Sequence, residues 1–194
     1  MCAVVFTSDH GYHLGDHTFS LKSNVHEQVT RVPLIISSPR FDAGRTAAIT
    51  ELVDLYPTLC ELTAQPVPED LHGTSLVPVL ETHNADGKAE AISFSKGACW
   101  RTRDWAYMLY NDGGEELYDM RNDPGQFHNP AADPEHAAVR QRMSRQLSTR
   151  LAEYQLRTKQ NHSAVGQRQF DRLSVRVHNE VATFYMWYGR PDSV

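Results

Sequence analysis

The 194-residue sequence predicts an α/β chain in two parts: the C-terminal portion of a parallel-sheet domain, then a small antiparallel sheet packed with a C-terminal helix. Three observations predict it. Met1–Thr7 is apolar and β-branched on both faces, as a central parallel strand is. Short alternating runs between 92 and 118 enclose Asn111-Asp112-Gly113-Gly114, a strong hairpin signal. Val139, Met143, Leu147, Leu151 and Tyr154 recur three or four residues apart, the spacing of an amphipathic helix over 134–159.

Taken in order, residues 2–7 read as a strand, 8–21 as a Gly- and His-rich loop, and Lys22 to about Thr30 as a short helix or turn. Val32–Ser37 is a second apolar strand. Two strands leave most of their apolar area uncovered and many ladder groups unpaired. The segment is therefore expected to be the C-terminal part of a larger α/β domain whose flanking strands lie outside it. Asp54 is expected to cap a helix with Pro57 in its first turn, where a missing N–H costs nothing, and with Leu55, Leu59 and Leu62 as its apolar face. Residues 65–90 read as a long connection holding one short helix at Ser75–Leu80. Ile92–Phe94, Ala98–Thr102, Trp105–Tyr110 and Glu116–Tyr118 are the antiparallel strands. These readings divide the chain into 1–90, 91–160 and a tail, 161–194, that the sequence does not assign to any element.

Composition removes several function classes. With 24 Asp and Glu against 19 Lys and Arg, the net charge of −5 argues against nucleic acid as the main partner, because phosphate binding needs a concentrated basic face. No run approaches the roughly 18 apolar residues of a membrane span. The opening apolar run has no charged segment before it and is too short for a secretory core, so it is not read as a signal peptide. Cys2, Cys60 and Cys99 are too few and too scattered for a disulfide framework or a metal knuckle.

The chemistry concentrates at residues 8–26. Asp9 and His10 follow directly on the first strand, at its carboxyl end, where loops of an α/β sheet diverge into a crevice. A carboxylate beside an imidazole, with Gly11 turning the chain away, can hold a divalent metal. It can equally be a hydrogen-bonded turn. Four of the ten histidines (His10, His13, His17 and His26) fall in this window, and His13-x-x-x-His17 is a weak match to helical zinc spacing.

The stretch VVFTSDHGYHLGDHTFSLKSNVHEQVTRVPLIISSP resembles the sulfatase family of the alkaline-phosphatase superfamily, closest to its iduronate-2-sulfatase-like branch. Further pieces follow in the family's order. Glu51–Leu59 is similar to its VDLxPTL helix and Leu71–Leu76 to its LxGxSL loop. Glu116–Asp119, Asn122–Gly125 and Asn129-Pro130 resemble its ELYDLxxDPxExxN ending. The likeness covers roughly residues 2–155. It implies an alkaline-phosphatase-like fold and a sulfuric ester hydrolase acting on a sulfated small molecule or sugar. Members are often exported, periplasmic or lysosomal, which leaves the compartment open.

The resemblance implies that Asp9 and His10 are two ligands of the family's divalent cation, normally calcium. It implies that Lys22, thirteen residues past Asp9, contacts the sulfate group and the leaving oxygen. His17, in Leu14-Gly15-Asp16-His17, lies between them and is either a substrate contact or an ordering group of the loop. Without the resemblance, Lys22 reads as a solvated charge at a helix start. Ligand type alone favours zinc or manganese over calcium at an Asp–His pair. The same SDHG sequence also suits metal-dependent phosphoesterases of the superfamily.

The departure from the family is the nucleophile. Sulfatases use a formylglycine made from the first residue of C/S-x-P-x-R, and no cysteine here begins such a motif. In Ser37-Ser38-Pro39-Arg40 the arginine stands one place too early. The adjacent aspartates that complete the metal shell are missing as well. All these elements are expected in an N-terminal half, which becomes the implied partner; without it the chain is expected to be inactive. A non-catalytic remnant or interaction module is the third reading.

Overall fold

The computed structural model describes residues 2–83 and 87–164, in two compact units. One comprises residues 2–22, 27–83 and 87–91, the other 23–26 and 92–164.

The first unit carries, in chain order, β1 (Val4–Thr7), a hairpin of β2 (His13–Leu14) and β3 (Ser20–Leu21), α1 (Glu27–Thr30) and β4 (Leu34–Ser37). A 3-10 turn (Leu52–Asp54) then runs into α2 (Leu55–Leu62), followed by α3 (Val77–Thr82). The class is α/β as predicted, but β1 and β4 pair antiparallel, Val4 opposite Ser37 and Thr7 opposite Leu34, in a two-stranded sheet. A run of apolar residues does not specify its partner's direction, so the expectation of a parallel pair had nothing to correct it. Nor are both faces covered. Val5 and Ile36 turn into a cluster with Leu34, Ala48, Leu76 and Val79, whereas Val4, Phe6 and Ile35 stand 60%, 59% and 49% exposed on the other side.

The face of α2 also differs from expectation. Pro57, Thr58 and Cys60 are its buried residues and Leu59 is exposed. Hydrogen bonding, not apolar spacing, turns the helix. The Thr58 hydroxyl donates to the Asp54 carbonyl (2.5 Å) and accepts from the Leu76 N–H (2.8 Å). Asp54 does not cap α2 with its side chain. It closes a capping box with Glu51, its Oδ2 accepting from the Glu51 N–H at 2.8 Å. Gly73 is required here because a Cβ would collide with the Val53 carbonyl oxygen. The short helix expected at Ser75–Leu80 is α3, shifted two residues along.

In the second unit β5 (Glu90–Phe94), β6 (Gly97–Thr102), β7 (Trp105–Tyr110) and β8 (Glu115–Asp119) form a sheet in sequence order, antiparallel from β6 to β8. A 3-10 turn at Pro134–His136, capped by the Asp133 carboxylate on the Glu135 N–H (2.9 Å), leads into α4 (Ala137–Ala164). Period-two alternation sorts the sheet into two faces. Ile92, Ala98, Trp100, Tyr107 and Leu117 pack on Met143 and Leu147, with Val139, Leu151 and Tyr154 around them. Cys99, Ala106, Met108 and Tyr118 face the other way and receive Val25. His26 beside it meets Glu116 at 2.9 Å, and the Tyr118 and Tyr110 hydroxyls donate to the same carboxylate oxygen. The helix thus passes the boundary expected at 160; the remainder of the tail, 165–194, lies outside the described residues. Among the described residues no helix is long and apolar enough to cross a membrane.

Candidate functional site

Strand β1 ends at Thr7 and delivers Ser8, Asp9 and His10 from its carboxyl end. The turn is tied locally: the Ser8 hydroxyl donates to the His10 carbonyl (2.8 Å) and the His10 N–H donates to Asp9 Oδ1 (3.1 Å). The His10 ring donates from Nδ1 to the Gly11 carbonyl (2.8 Å). That bond fixes the tautomer and leaves the Nε2 lone pair free to accept, as the outer hydrogen bond of a metal-binding histidine does.

What meets Nε2 is Lys22. Its ammonium lies 2.6 Å from His10 Nε2, and Asp9 Oδ2 is 3.3 Å from the same nitrogen. Three residues separated by a hairpin therefore share one point. Asp9 is 81% exposed and His10 about a quarter. The Asp9 carboxyl is held below its ordinary value. A slight loss of solvent acts upward on it and is outweighed by the His10 ring, by the backbone N–H groups of Asp9 and His10, and by Lys22.

The hairpin between His10 and Lys22 is docked on α1. Gly11 passes so close to the Gln28 carbonyl that a Cβ would collide with it, and the Gly11 N–H donates to the Val29 carbonyl (2.7 Å). His17 meets Gln28 and His13. Its Nε2 is 3.1 Å from the Gln28 side-chain nitrogen, and its ring meets the buried His13 ring edge-on at 5.9 Å. Gln28 carries no signal as a single residue in the sequence, and His13, noted there only for its spacing to His17, is buried against that ring.

As a cation site the cluster offers one carboxylate and one pre-oriented imidazole. No group of three or more His, Cys, Asp or Glu arranged for a metal occurs among the described residues. The donors fit half of a coordination shell, mixed in hardness between a calcium site and a transition-metal site.

A second charged constellation lies in the same unit. Lys88 contacts Glu51 and sits 2.7 Å from Asp54 Oδ1, which also accepts from the Thr74 N–H at 2.8 Å. Burial acts downward on the Lys88 ammonium, and the two carboxylates outweigh it, so it is held above its ordinary value.

Residues 15–153 match the family described as N-sulphoglucosamine sulphohydrolase, C-terminal. The chain is 35% identical over 168 residues to an N-acetylglucosamine-6-O-sulfatase of Bacteroides thetaiotaomicron, covering 78% of this chain and 30% of that protein. A protein solved in complex with its substrate D-glucosamine-2-N,6-O-disulfate superposes with a TM-score of 0.68 at 31% identity, over 82% of this chain and 35% of that one. The phosphonate monoester hydrolase of Agrobacterium radiobacter does so with a TM-score of 0.67 at 29% identity, over 78% and 35%. The chain spans about a third of the length of the relatives it matches. These matches do not single out the iduronate-2-sulfatase-like branch.

Proposed function

The chain belongs to the sulfatase family of the alkaline-phosphatase superfamily, and from that premise we propose that it is the C-terminal portion of a sulfuric ester hydrolase acting on a sulfated sugar or small molecule. Asp9 and His10 would supply two ligands of a divalent cation, calcium before zinc or manganese. The observation that carries the reading is the convergence of Asp9, His10 and Lys22 at the end of β1, where a bound cation would take the His10 Nε2 lone pair that here meets the Lys22 ammonium.

Breaking a sulfate ester builds negative charge on the equatorial and leaving oxygens, and fixed positive groups aimed there lower the barrier. Lys22 would supply one such charge. Asp9, held ionised and exposed, would keep the second position anionic for a cation whose contribution is Lewis-acid polarisation of a sulfate oxygen. The Gly11 carbonyl would keep His10 in the accepting tautomer throughout.

The nucleophile, a formylglycine, and the remaining ligands would come from an N-terminal half. The exposed Val4, Phe6 and Ile35 on the β1–β4 sheet support its docking there. The test grafts this chain in place of the matching third of the Bacteroides N-acetylglucosamine-6-O-sulfatase. The graft hydrolyses sulfate esters, Asp9→Ala and His10→Ala abolish turnover, and EDTA stops it, whereas the chain alone leaves p-nitrophenyl sulfate intact. Wild-type rates in both variants would remove the assignment. The likeness to a phosphonate monoester hydrolase supports a second reading, metal-dependent phospho- or phosphonoester hydrolysis. A graft preferring p-nitrophenyl phenylphosphonate over the sulfate would favour it. A graft inert to both substrates would favour the non-catalytic module.

A further inference from the structure

We propose that Gln28 is a positioning residue for Lys22, acting through His17. The inference rests on the reading above for the role of Lys22 and goes beyond it in naming what holds that lysine in place.

The hairpin that carries the chain from His10 back to Lys22 contains three non-glycine residues on the left-handed side of the backbone map: His17 (φ 55°), Thr18 (φ 62°) and Leu21 (φ 83°). Leu21 immediately precedes Lys22. Such a backbone persists only where its surroundings over-determine it. Part of the restraint lies within the hairpin, where the Gly15 N–H donates to the Phe19 carbonyl (3.0 Å) and the Phe19 N–H to the Asp16 carbonyl (2.9 Å). These bonds shape the turn without fixing where it sits.

Placement comes from α1, at two points. One is the Gly11 N–H on the Val29 carbonyl, beside His10. The other is Gln28, whose side-chain nitrogen lies 3.1 Å from His17 Nε2 at the far end of the hairpin. An amide nitrogen only donates, so His17 Nε2 accepts and its proton sits on Nδ1. The left-handed turn is thereby pinned to the helix at His17, the first of its three left-handed non-glycine residues, and Leu21 and Lys22 follow from that anchor.

The chemistry of the bond sets the test, which uses the full chain, 15N-labelled, and reads the imidazole resonances by long-range 1H–15N NMR at one pH. In the wild type His17 shows the neutral form protonated at Nδ1. Gln28→Leu removes the donor: the His17 signature is lost, and the His10 ring resonances shift as Lys22 leaves Nε2. Gln28→Glu keeps the length and shape but presents an acceptor, so the His17 proton moves to Nε2. This variant carries the test if the leucine variant does not fold. A Gln28→Leu chain with unmoved His10 resonances, or a Gln28→Glu chain with His17 still protonated at Nδ1, overturns the proposal. If the His10 resonances follow Gln28 while Lys22→Ala leaves turnover of the grafted sulfatase unchanged, the positioning holds and the catalytic reading of Lys22 falls.

Discussion

The first unit places carboxylates against a lysine twice, with opposite outcomes. Around Lys88, Asp54 is wholly buried and its two oxygens accept from the lysine and from two backbone N–H groups. Around Lys22, Asp9 stands in solvent, and the lysine rests on an imidazole lone pair. The Lys88 network is enclosed: the ammonium is shared between the Glu51 and Asp54 carboxylates, and both Asp54 oxygens also accept backbone N–H groups. The Lys22 cluster is unsaturated, with an ionised carboxylate and an ammonium that both face outward. The same residue types thus stand enclosed in one place and open to solvent in the other, and under the proposed function the open cluster is the one that serves recognition.

The comparison breaks most visibly at Asp54. Asp54→Ala leaves Lys88 without one carboxylate and orphans the Thr74 and Glu51 N–H groups, so it should cost about 3–5 kcal/mol in urea unfolding. A loss under about 1 kcal/mol would mean the network is no more than a surface pair. At the open cluster the effect should appear in rate. In the grafted sulfatase, Lys22→Ala is expected to lower kcat roughly 10²-fold, the scale of losing one charge-stabilising donor. A change in KM alone would make Lys22 a binding residue.

Titration sharpens the contrast. The Lys88 ammonium is raised above its ordinary 10.5, so its contribution is complete below that pH and is lost as pH rises through the higher folded-state value. Urea midpoints measured from about pH 9 to 11.5 should fall more steeply for the wild type than for Lys88→Met. The smallest effect is predicted at the exposed cluster: Asp9→Ala and His10→Ala should leave the unfolding midpoint at neutral pH where it is. A large drop in either would make that cluster structural as well.

How much of this was legible in the sequence varies with the physics of each part. The sheet of the second unit and α4 were plain because alternation from Ile92 to Tyr118 and the spacing from Val139 to Tyr154 each record one buried face. The direction of the β1–β4 pairing was hidden, since pairing direction leaves no mark in an apolar run. The rotation of α2 was hidden too, because Thr58 reads as an ordinary polar residue until its hydroxyl is seen bridging Asp54 and Leu76. At the site, Asp9, His10 and Lys22 stood out through family spacing, and their convergence needed the hairpin. Lys88 lies 37 residues from Glu51 and Gln28 lies 11 from His17, distances over which no local pattern links a charge or an amide to its partner.

The double role of Thr58 has a practical corollary. Because its hydroxyl joins α2 to the start of α3, and Asp54 grips Thr74, the stretch between Leu62 and Leu71 is a strap fastened at both ends. Its residues 63–70 are all exposed. Lengthening a strap whose ends are already secured adds only a slowly growing entropic cost, so peptide tags belong there. A protease that nicks it should release no fragment until denaturant pulls the buckles apart.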